Sequence, residues 1–213
     1  MARSGERGDL LAAGLRRGPL REPSASEFSE DATWVAAARD GDRSAFGQLY
    51  ERYARMVHGV LLAKVPVGDV DDLVQDVFIR ALRRLSTLRE NASFGPWLAA
   101  IARNMAHDYH RRSVSEEPLP DISDQKIPGG TSGGDQDCTS AEILEAVMSL
   151  SETYRETLIL RLVEGMTGPE IAARTGMTHG SVRVNLYRGM EQLRAKLSAG
   201  PSHVRPEQEK SWR

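Results

Sequence analysis

Residues 167–197 read TGPEIAARTGMTHGSVRVNLYRGMEQLRAKL, two short helical patterns that meet at a turn, the second longer and basic. Thr167 and Glu170 have the spacing of a capping box, in which each side chain satisfies an N–H of the first helical turn. Pro169 suits that turn because its missing N–H has no partner there anyway. Ala172 is small enough to admit a second helix, and Gly176 falls four residues later, where the bend needs a residue that tolerates positive φ. Thr178 or Ser181 can cap the next helix, whose core-facing positions are Val182, Leu186, Met190, Leu193 and Leu197. This is a helix-turn-helix pattern with its second helix placed to enter a DNA major groove.

The outward face of the second helix carries Arg183, Asn185, Tyr187, Arg188, Gln192 and Arg194. Arg and Asn make bidentate hydrogen bonds to guanine and adenine edges, and Arg also binds phosphate. A solvated basic helix in an ordinary bundle would share the spacing alone. The cap, the proline and the basic face together favour DNA binding.

A chain of 213 residues with 40% hydrophobic and 27% charged side chains has the length for one domain or two small ones, soluble and mostly folded. It lacks a run of about 18 apolar residues, so no membrane span is expected, and its N-terminus lacks the apolar core of a secretory signal. The single cysteine, Cys138, excludes an internal disulfide and a cysteine-based zinc site and fits a reducing cytoplasm. Net charge is −2, which argues against a protein that coats DNA unaided, since unspecific affinity comes from neutralising many phosphates. A DNA reader with this balance must concentrate its basic residues or borrow affinity from a partner.

Residues 1–30 read as a disordered tail rich in Arg, Gly, Ser, Pro and Glu. From Asp31 helical spacing begins. Trp34, Val35 and Ala38 form a stretch that stops at Gly41. Ser44 is placed to cap a second helix with Phe46, Leu49, Tyr50, Tyr53, Val57, Val60 and Leu61 at helical spacing. Pro66 and Gly68 break it, and Asp69 is placed to cap a third, with Asp71 and Asp72 in its first turn, where the helix dipole favours negative charge. Its apolar stripe is Val70, Leu73, Val74, Val77, Phe78, Ala81, Leu82 and Leu85. The opposite face carries Asp72, Gln75, Asp76, Ile79, Arg80, Arg83 and Arg84. A polar loop, LRENASF (88–94), precedes a fourth helix opened by Pro96 and Trp97 and ending in basic residues. Residues 113–140 are rich in Pro, Gly, Ser and acids and read as a flexible linker. From Ala141, Ile143, Leu144, Val147, Met148 and Leu150 make one helix. Ser151 is placed to cap the next, with Tyr154, Leu158, Ile159 and Leu162, and the helix-turn-helix follows. The expected fold is all-α: a tail at 1–30, a helical domain at 31–112, the acidic linker at 113–140, a second small helical domain with the helix-turn-helix at 141–198, and a tail at 199–213.

Four segments in this order resemble an extracytoplasmic-function (group IV) sigma factor of RNA polymerase, in the sigma-70 superfamily. They are FGQLYERYARMVHGVLLAKV, DDLVQDVFIRALRRL, FGPWLAAIARNMAHDYHRR, and LSETYRETLILRLVEGMTGPEIAARTGMTHGSVRVNLYRGMEQLRAKL. The resemblance implies that the first domain is region 2, for core polymerase binding and for recognition and melting of the −10 element. Its face bearing Asp72, Gln75, Asp76, Ile79, Arg80 and Arg83 would grip the clamp coiled coil of the β′ subunit. Arg89, Asn91, Ser93 and Asn104 would receive a flipped −10 base, with Trp97 largely structural. The second domain would be region 4, reading the −35 element through Arg183, Asn185, Tyr187 and Arg188 and docking on the β flap. Thr178-His179 stands where family members often have Pro-Glu, and Val184-Asn185 where Ser-Arg is common, which bears on the −35 sequence and not on binding. The linker acids Glu116, Glu117, Asp121 and Asp124 would either line a basic RNA channel or be a solvated spacer. An anti-sigma factor is the implied regulator.

Two alternatives are weaker. A non-sigma helix-turn-helix transcription regulator explains residues 141–197 but leaves the third helix, DDLVQDVFIRALRRL, and the basic fourth without a task. An enzyme would need more than His107, Asp108 and His110, of which only the two histidines share a helical face. No catalytic residue, metal site or cofactor is therefore expected, and Cys138 reads as an exposed thiol.

Overall fold

The computed structural model describes residues 25–115 and 140–198, and among these every regular element is a helix. The first module holds α1 (Ala25–Arg39), α2 (Arg43–Leu62), α3 (Val70–Arg84) and α4 (Phe94–Ser115). The second holds α5 (Ser140–Met148), α6 (Glu152–Leu162), α7 (Gly168–Thr175) and α8 (His179–Ser198). Helix α1 begins at Ala25, inside the stretch that composition marks as tail. The linker acids, Cys138 and the C-terminal tail lie outside the described residues.

Local sequence explains most helix ends, with three corrections. Asp42, not Ser44, caps α2: its Oδ1 accepts from the N–H groups of Ser44 and Ala45 at 2.8 and 3.2 Å. Asp69 occupies the cap position of α3 without capping it. A 3-10 turn, Val67–Asp69, feeds straight into the helix, so the Val70 N–H already donates to Val67, and Asp69 Oδ2 instead accepts the Tyr109 hydroxyl at 2.7 Å. Ser151 precedes α6 in extended backbone, but its side chain makes no cap bond. The stretch at 88–94 is not all loop: Asn91–Ser93 form a 3-10 turn, and α4 starts at Phe94, fully buried and edge-on to Tyr53.

In the first module α2, α3 and α4 pack around Leu49, Met56, Val57, Val77 and Leu98. The stripe on α3 is buried as its spacing predicts, with one exception. Leu82 is 50% exposed and lies beside Ile79, 48% exposed, on the opposite face. In the second module Tyr154 and Leu158 of α6 sit under α8. There Gly189 is required by close approach, since a Cβ would stand 3.0 Å from Leu158 and 3.2 Å from Tyr154.

The two modules do not stand apart. Their buried residues form one cluster, with α2 packed on α6 and α4 on α7. Helix α6 is apolar on more than one side. Leu158, Ile159 and Leu160 are all fully buried, and Leu160 reaches the α2 backbone at Gly59. An all-round apolar helix needs cover on both faces, which the first module supplies here.

Candidate nucleic-acid interface

The turn at 167–182 folds as its residues dictate. Thr167 Oγ1 accepts from the Glu170 N–H at 3.3 Å, and Glu170 Oε2 accepts from the Thr167 N–H at 2.8 Å, completing the capping box. Gly176 ends α7 with φ +77°, the left-handed value that favours glycine. Thr178, rather than Ser181, caps α8: its Oγ1 accepts from the Ser181 N–H at 3.1 Å and lies 2.8 Å from the Ser181 hydroxyl. Val182 and Leu193 then anchor α8 in the core.

That anchoring fixes which side of α8 faces out. Arg183, Tyr187 and Arg188 are exposed, Tyr187 by 66%. Val184 is also 43% exposed and belongs to the same surface. Asn185 is turned aside: it is half-buried, and its Nδ2 donates to Thr157 Oγ1 at 3.4 Å on α6. Arg183, Tyr187 and Arg188 thus form one outward basic and aromatic face, while Asn185 sits at its edge.

In the first module Arg89, Asn91 and Ser93 lie on and just before the 3-10 turn that leads into α4, and Asn104 lies ten residues into that helix, about 15 Å along its axis. Arg89 and Asn104 are exposed. Asn91 is not free. Its Oδ1 accepts from Arg39 Nη1 at 2.6 Å, and its Nδ2 donates to the Ala32 carbonyl at 3.2 Å. Arg39 also donates to the carbonyls of Leu85 and Leu88. One arginine in the last turn of α1 therefore fastens the whole 85–91 segment. Sequence reading misses Arg39, whose spacing to that segment is carried only by the tertiary fold. Ser93 Oγ donates to Glu90 Oε2 at 3.4 Å and is half-buried. Trp97 is half-buried with its ring 5.9 Å from that of Phe94.

On α3 the residues Asp72, Gln75, Asp76, Ile79 and Arg83 line one exposed face. Arg80 leans out of it, half-buried, with Nη1 3.7 Å from Asp108 on α4. Leu82 joins Ile79 there. The signal is present in the sequence, because Leu82 follows Ile79 by three and so shares its helical row.

The seam between the modules is ionic around an apolar centre. Arg103 on α4 meets Glu156 on α6 at 2.7 Å and points further donors at the Thr175 carbonyl. Lys64 bonds Glu152 and lies 3.8 Å from Glu156. His58 Nδ1 lies 2.7 Å from Glu164, and Arg55 Nε 3.6 Å from it. The Glu164 hydrogen bond raises the pKa of His58 against the opposing effect of burial. Lys64, chiefly by its hydrogen bond, lowers that of Glu152. Beside the seam Asp31 is buried but satisfied, by Arg52 Nη1 at 2.7 Å and by the Tyr53 hydroxyl at 2.5 Å, and Arg52 stacks over Trp34. Among the described residues no cluster of three or more His, Cys, Asp or Glu is arranged to hold a metal ion, and no helix is long and apolar enough to cross a membrane.

Comparison with known proteins matches this layout module by module. Residues 49–115 match the family Sigma-70 region 2, and residues 140–193 match Sigma-70, region 4. The chain is 33% identical over 161 residues to RNA polymerase sigma factor CarQ of Myxococcus xanthus, covering 75% of this chain and 92% of CarQ. It is 31% identical over 184 residues to the ECF RNA polymerase sigma-E factor of Escherichia coli K12, covering 81% of this chain and 96% of that protein. Among solved structures it is similar to CnrH in complex with the cytosolic domain of CnrY, at 26% identity and a TM-score of 0.55 over 81% of this chain and 99% of that one. It shares its fold with the sigma factor RpoE of Bartonella quintana, solved with the anti-sigma factor NepR, at 18% identity and a TM-score of 0.50 over 73% and 98% of the two chains.

Proposed function

Because the chain belongs to the extracytoplasmic-function branch of the sigma-70 family, we propose a division of labour among its exposed faces. The protein is a sigma factor: it binds core RNA polymerase and directs promoter-specific initiation through −10 and −35 recognition and strand opening.

The face of α3 with Asp72, Gln75, Asp76, Ile79 and Arg83, extended by Leu82, docks on the clamp coiled coil of β′. Two adjacent exposed apolar side chains ringed by charge are the composition of a protein-binding surface. Arg80 supports that face through Asp108. The second module docks on the β flap and reads the −35 element with Arg183, Tyr187 and Arg188, while Asn185 holds α8 to α6. Arg89, Ser93 and Asn104 receive the −10 strand, and Asn91 sets the position of the loop that presents them. Capture of an unstacked base by these residues offsets unpairing that costs a few kcal/mol, so opening requires no nucleotide hydrolysis by this chain.

The observation that carries this reading is the pairing, on one chain, of an exposed apolar helix face ringed by charge with a capped helix-turn-helix whose basic face is open. A lone helix-turn-helix regulator explains only the second. An anti-sigma factor is the proposed regulator, since CnrH and RpoE, which this chain resembles, were solved with CnrY and NepR. The place of action is the cytoplasm, where polymerase works. Run-off transcription with purified core RNA polymerase on a pool of genomic promoter fragments tests the reading. Specific initiation that depends on this protein supports it. Binding neither to core nor to promoter would return the second module to an ordinary helix-turn-helix regulator.

A further inference from the structure

Among the described residues five acid–base pairs cross the seam, and in all five the base belongs to the first module and the acid to the second: Arg55 and His58 with Glu164, Lys64 with Glu152 and Glu156, and Arg103 with Glu156. A seam that merely glued two modules would gain equally from pairs in either direction. The bases are also ordered in space. Arg103, His107 and His110 follow one another at helical spacing along α4, and His110 Nε2 lies 2.6 Å from the Lys64 carbonyl, so these four form one strip, while Arg55 and His58, three apart on α2, form a second basic patch on the same seam. That strip borders Asn104, the residue assigned to the −10 strand. Two of the three acids are the more buried partners: Glu156 and Glu164 are 6% and 8% exposed, whereas Arg103 and Arg55 retain 30% and 61%; the third, Glu152, is an exposed acid at the rim, over a Lys64 that is itself mostly covered.

The closed molecule also has the wrong size for its task. A compact body of about 150 residues is about 40 Å across. Elements at −10 and −35 lie about 25 base pairs apart, or about 85 Å at 3.4 Å per pair. Both cannot be read while α2 lies on α6 and α4 on α7, so the seam parts on the promoter and uncovers the strip.

We propose that the seam is a masked phosphate-binding surface: Glu156 and Glu164 occupy, in the closed state, the places that DNA backbone phosphates take on Arg55, His58, Lys64 and Arg103 once the modules separate. The ligand class is the sugar-phosphate backbone of duplex DNA beside the −10 element. The inference rests on the sigma-factor reading for its biological setting but not for its chemistry. It also fits the charge balance: a chain of net charge −2 holds its cations in reserve against its own acids.

The test uses the full chain and a 20-base-pair duplex without promoter elements, so its failure leaves the sigma-factor reading to the transcription assay. Small-angle scattering of the wild-type protein follows its dimensions as duplex is added, and fluorescence anisotropy follows binding from 50 to 200 mM salt. The expected result is an increase in radius of gyration on binding. A Glu156→Gln, Glu164→Gln variant is expected to be expanded before DNA is added and to bind about tenfold more tightly at low salt. Its salt dependence should be steeper by about two to three in log–log slope, at about 0.9 for each additional phosphate neutralised. Adding Arg103→Gln and Lys64→Gln should reverse both changes. Binding by wild type without expansion would overturn the proposal, as would a double variant that stays compact or that expands without a rise in affinity. The wild-type arm decides the matter even where the variants fail to fold.

Discussion

Arg103 and Glu156 are 53 positions apart in the chain, and they meet at 2.7 Å with Arg103 Nε also within 3.2 and 3.3 Å of the two Glu156 oxygens. The pair is asymmetric, because Glu156 is 6% exposed and Arg103 30%. Removing the guanidinium strands a carboxylate that retains only Lys64, 3.8 Å away. Removing the carboxylate charge leaves an arginine that can turn to water. Breaking a buried pair costs several kcal/mol, and less where one partner is partly solvated. Arg103→Ala is therefore expected to lower unfolding stability by about 2–3 kcal/mol and Glu156→Gln by about 1 kcal/mol. Denaturant unfolding of both variants checks this. Equal losses would mean that Glu156 does not depend on Arg103.

The seam has a pH dependence of definite sign. His58 faces Glu164 across the seam, with Arg55 beside it on α2 and Asp71 of α3 within electrostatic range, and its folded pKa lies above the ordinary value near 6.5. A raised histidine contributes stability that is fully present below its unfolded pKa and is lost as pH rises through the folded value. The modules should thus be held most firmly below about pH 6.5 and loosen as pH rises above it, in a window that ends above the raised value. Scattering or a cross-module fluorescence pair, read from about pH 6 to about pH 9, should show this loosening in wild type and a flatter profile in His58→Gln. A wild-type profile as flat as that of the variant would remove His58 from the latch.

The capping box and Gly176 of the helix-turn-helix are legible in the sequence to the residue, because capping boxes and left-handed glycines are local devices, whereas the choice of Thr178 over Ser181 as the α8 cap and the turning aside of Asn185 are not. The stripe on α3 is nearly so. It fails at Leu82, an apolar side chain that continues the row of Ile79 on the exposed face instead of joining the core. Caps fail at Ser44 and Asp69 for a similar reason. More than one polar residue stands near each helix start, and the choice depends on the preceding turn and on Tyr109, forty residues away. The seam is illegible as contacts but leaves a trace: Thr157, Leu158, Ile159 and Leu160 in succession are too apolar for a helix with one buried side. Roles at the −10 loop cannot be sorted by residue type. Asn91 and Asn104 have the same chemistry, and only the fold shows that the first is already engaged.

Two glycines in helices should respond oppositely to the same substitution. Gly47 lies within α2 with nothing within 4 Å of where its Cβ would stand, so Gly47→Ala should gain about 0.5–1 kcal/mol from helix propensity. Gly95 lies in the first turn of α4, where a Cβ would stand 2.8 Å from Tyr53 and 3.0 Å from the backbone carbonyl of Arg174. A ring edge can move, but that carbonyl moves only with α7. Gly95→Ala is expected to lose about 1–2 kcal/mol overall and to loosen the seam. Denaturant midpoints give the sign for each, and a stabilised Gly95→Ala would show that α7 does not approach α4 so closely.

Arg39 and Asn91 should behave as one unit. Their 2.6 Å bond, with the Arg39 bonds to Leu85 and Leu88, holds the segment that presents Arg89. Loss of a side-chain hydrogen bond to a charged group costs about 1.5–3 kcal/mol, so Arg39→Ala and Asn91→Ala should each destabilise the protein, and the double variant by much less than the sum. Arg89→Ala, at an exposed position, should leave stability within about 0.5 kcal/mol while slowing promoter opening. A double-mutant cycle with permanganate footprinting separates the two effects. Full additivity of Arg39 and Asn91 would count against the shared role.

The exposed face of α8 makes a last distinction. Arg188 is exposed and Asn185 is held by Thr157, so truncating them should fail in different ways. Arg188→Ala removes a base or phosphate contact and should weaken binding to −35-containing duplex by about 1–3 kcal/mol, with the fold intact. Asn185→Ala gives up a long hydrogen bond at 3.4 Å to α6 and should cost less than about 1 kcal/mol of stability, with −35 binding nearly unchanged. Binding and transcription on promoters with and without the −35 element compare them directly. A base-specific loss for Asn185→Ala would mean that its side chain leaves Thr157 on DNA, and that the reading face of α8 is one residue wider than in the closed molecule.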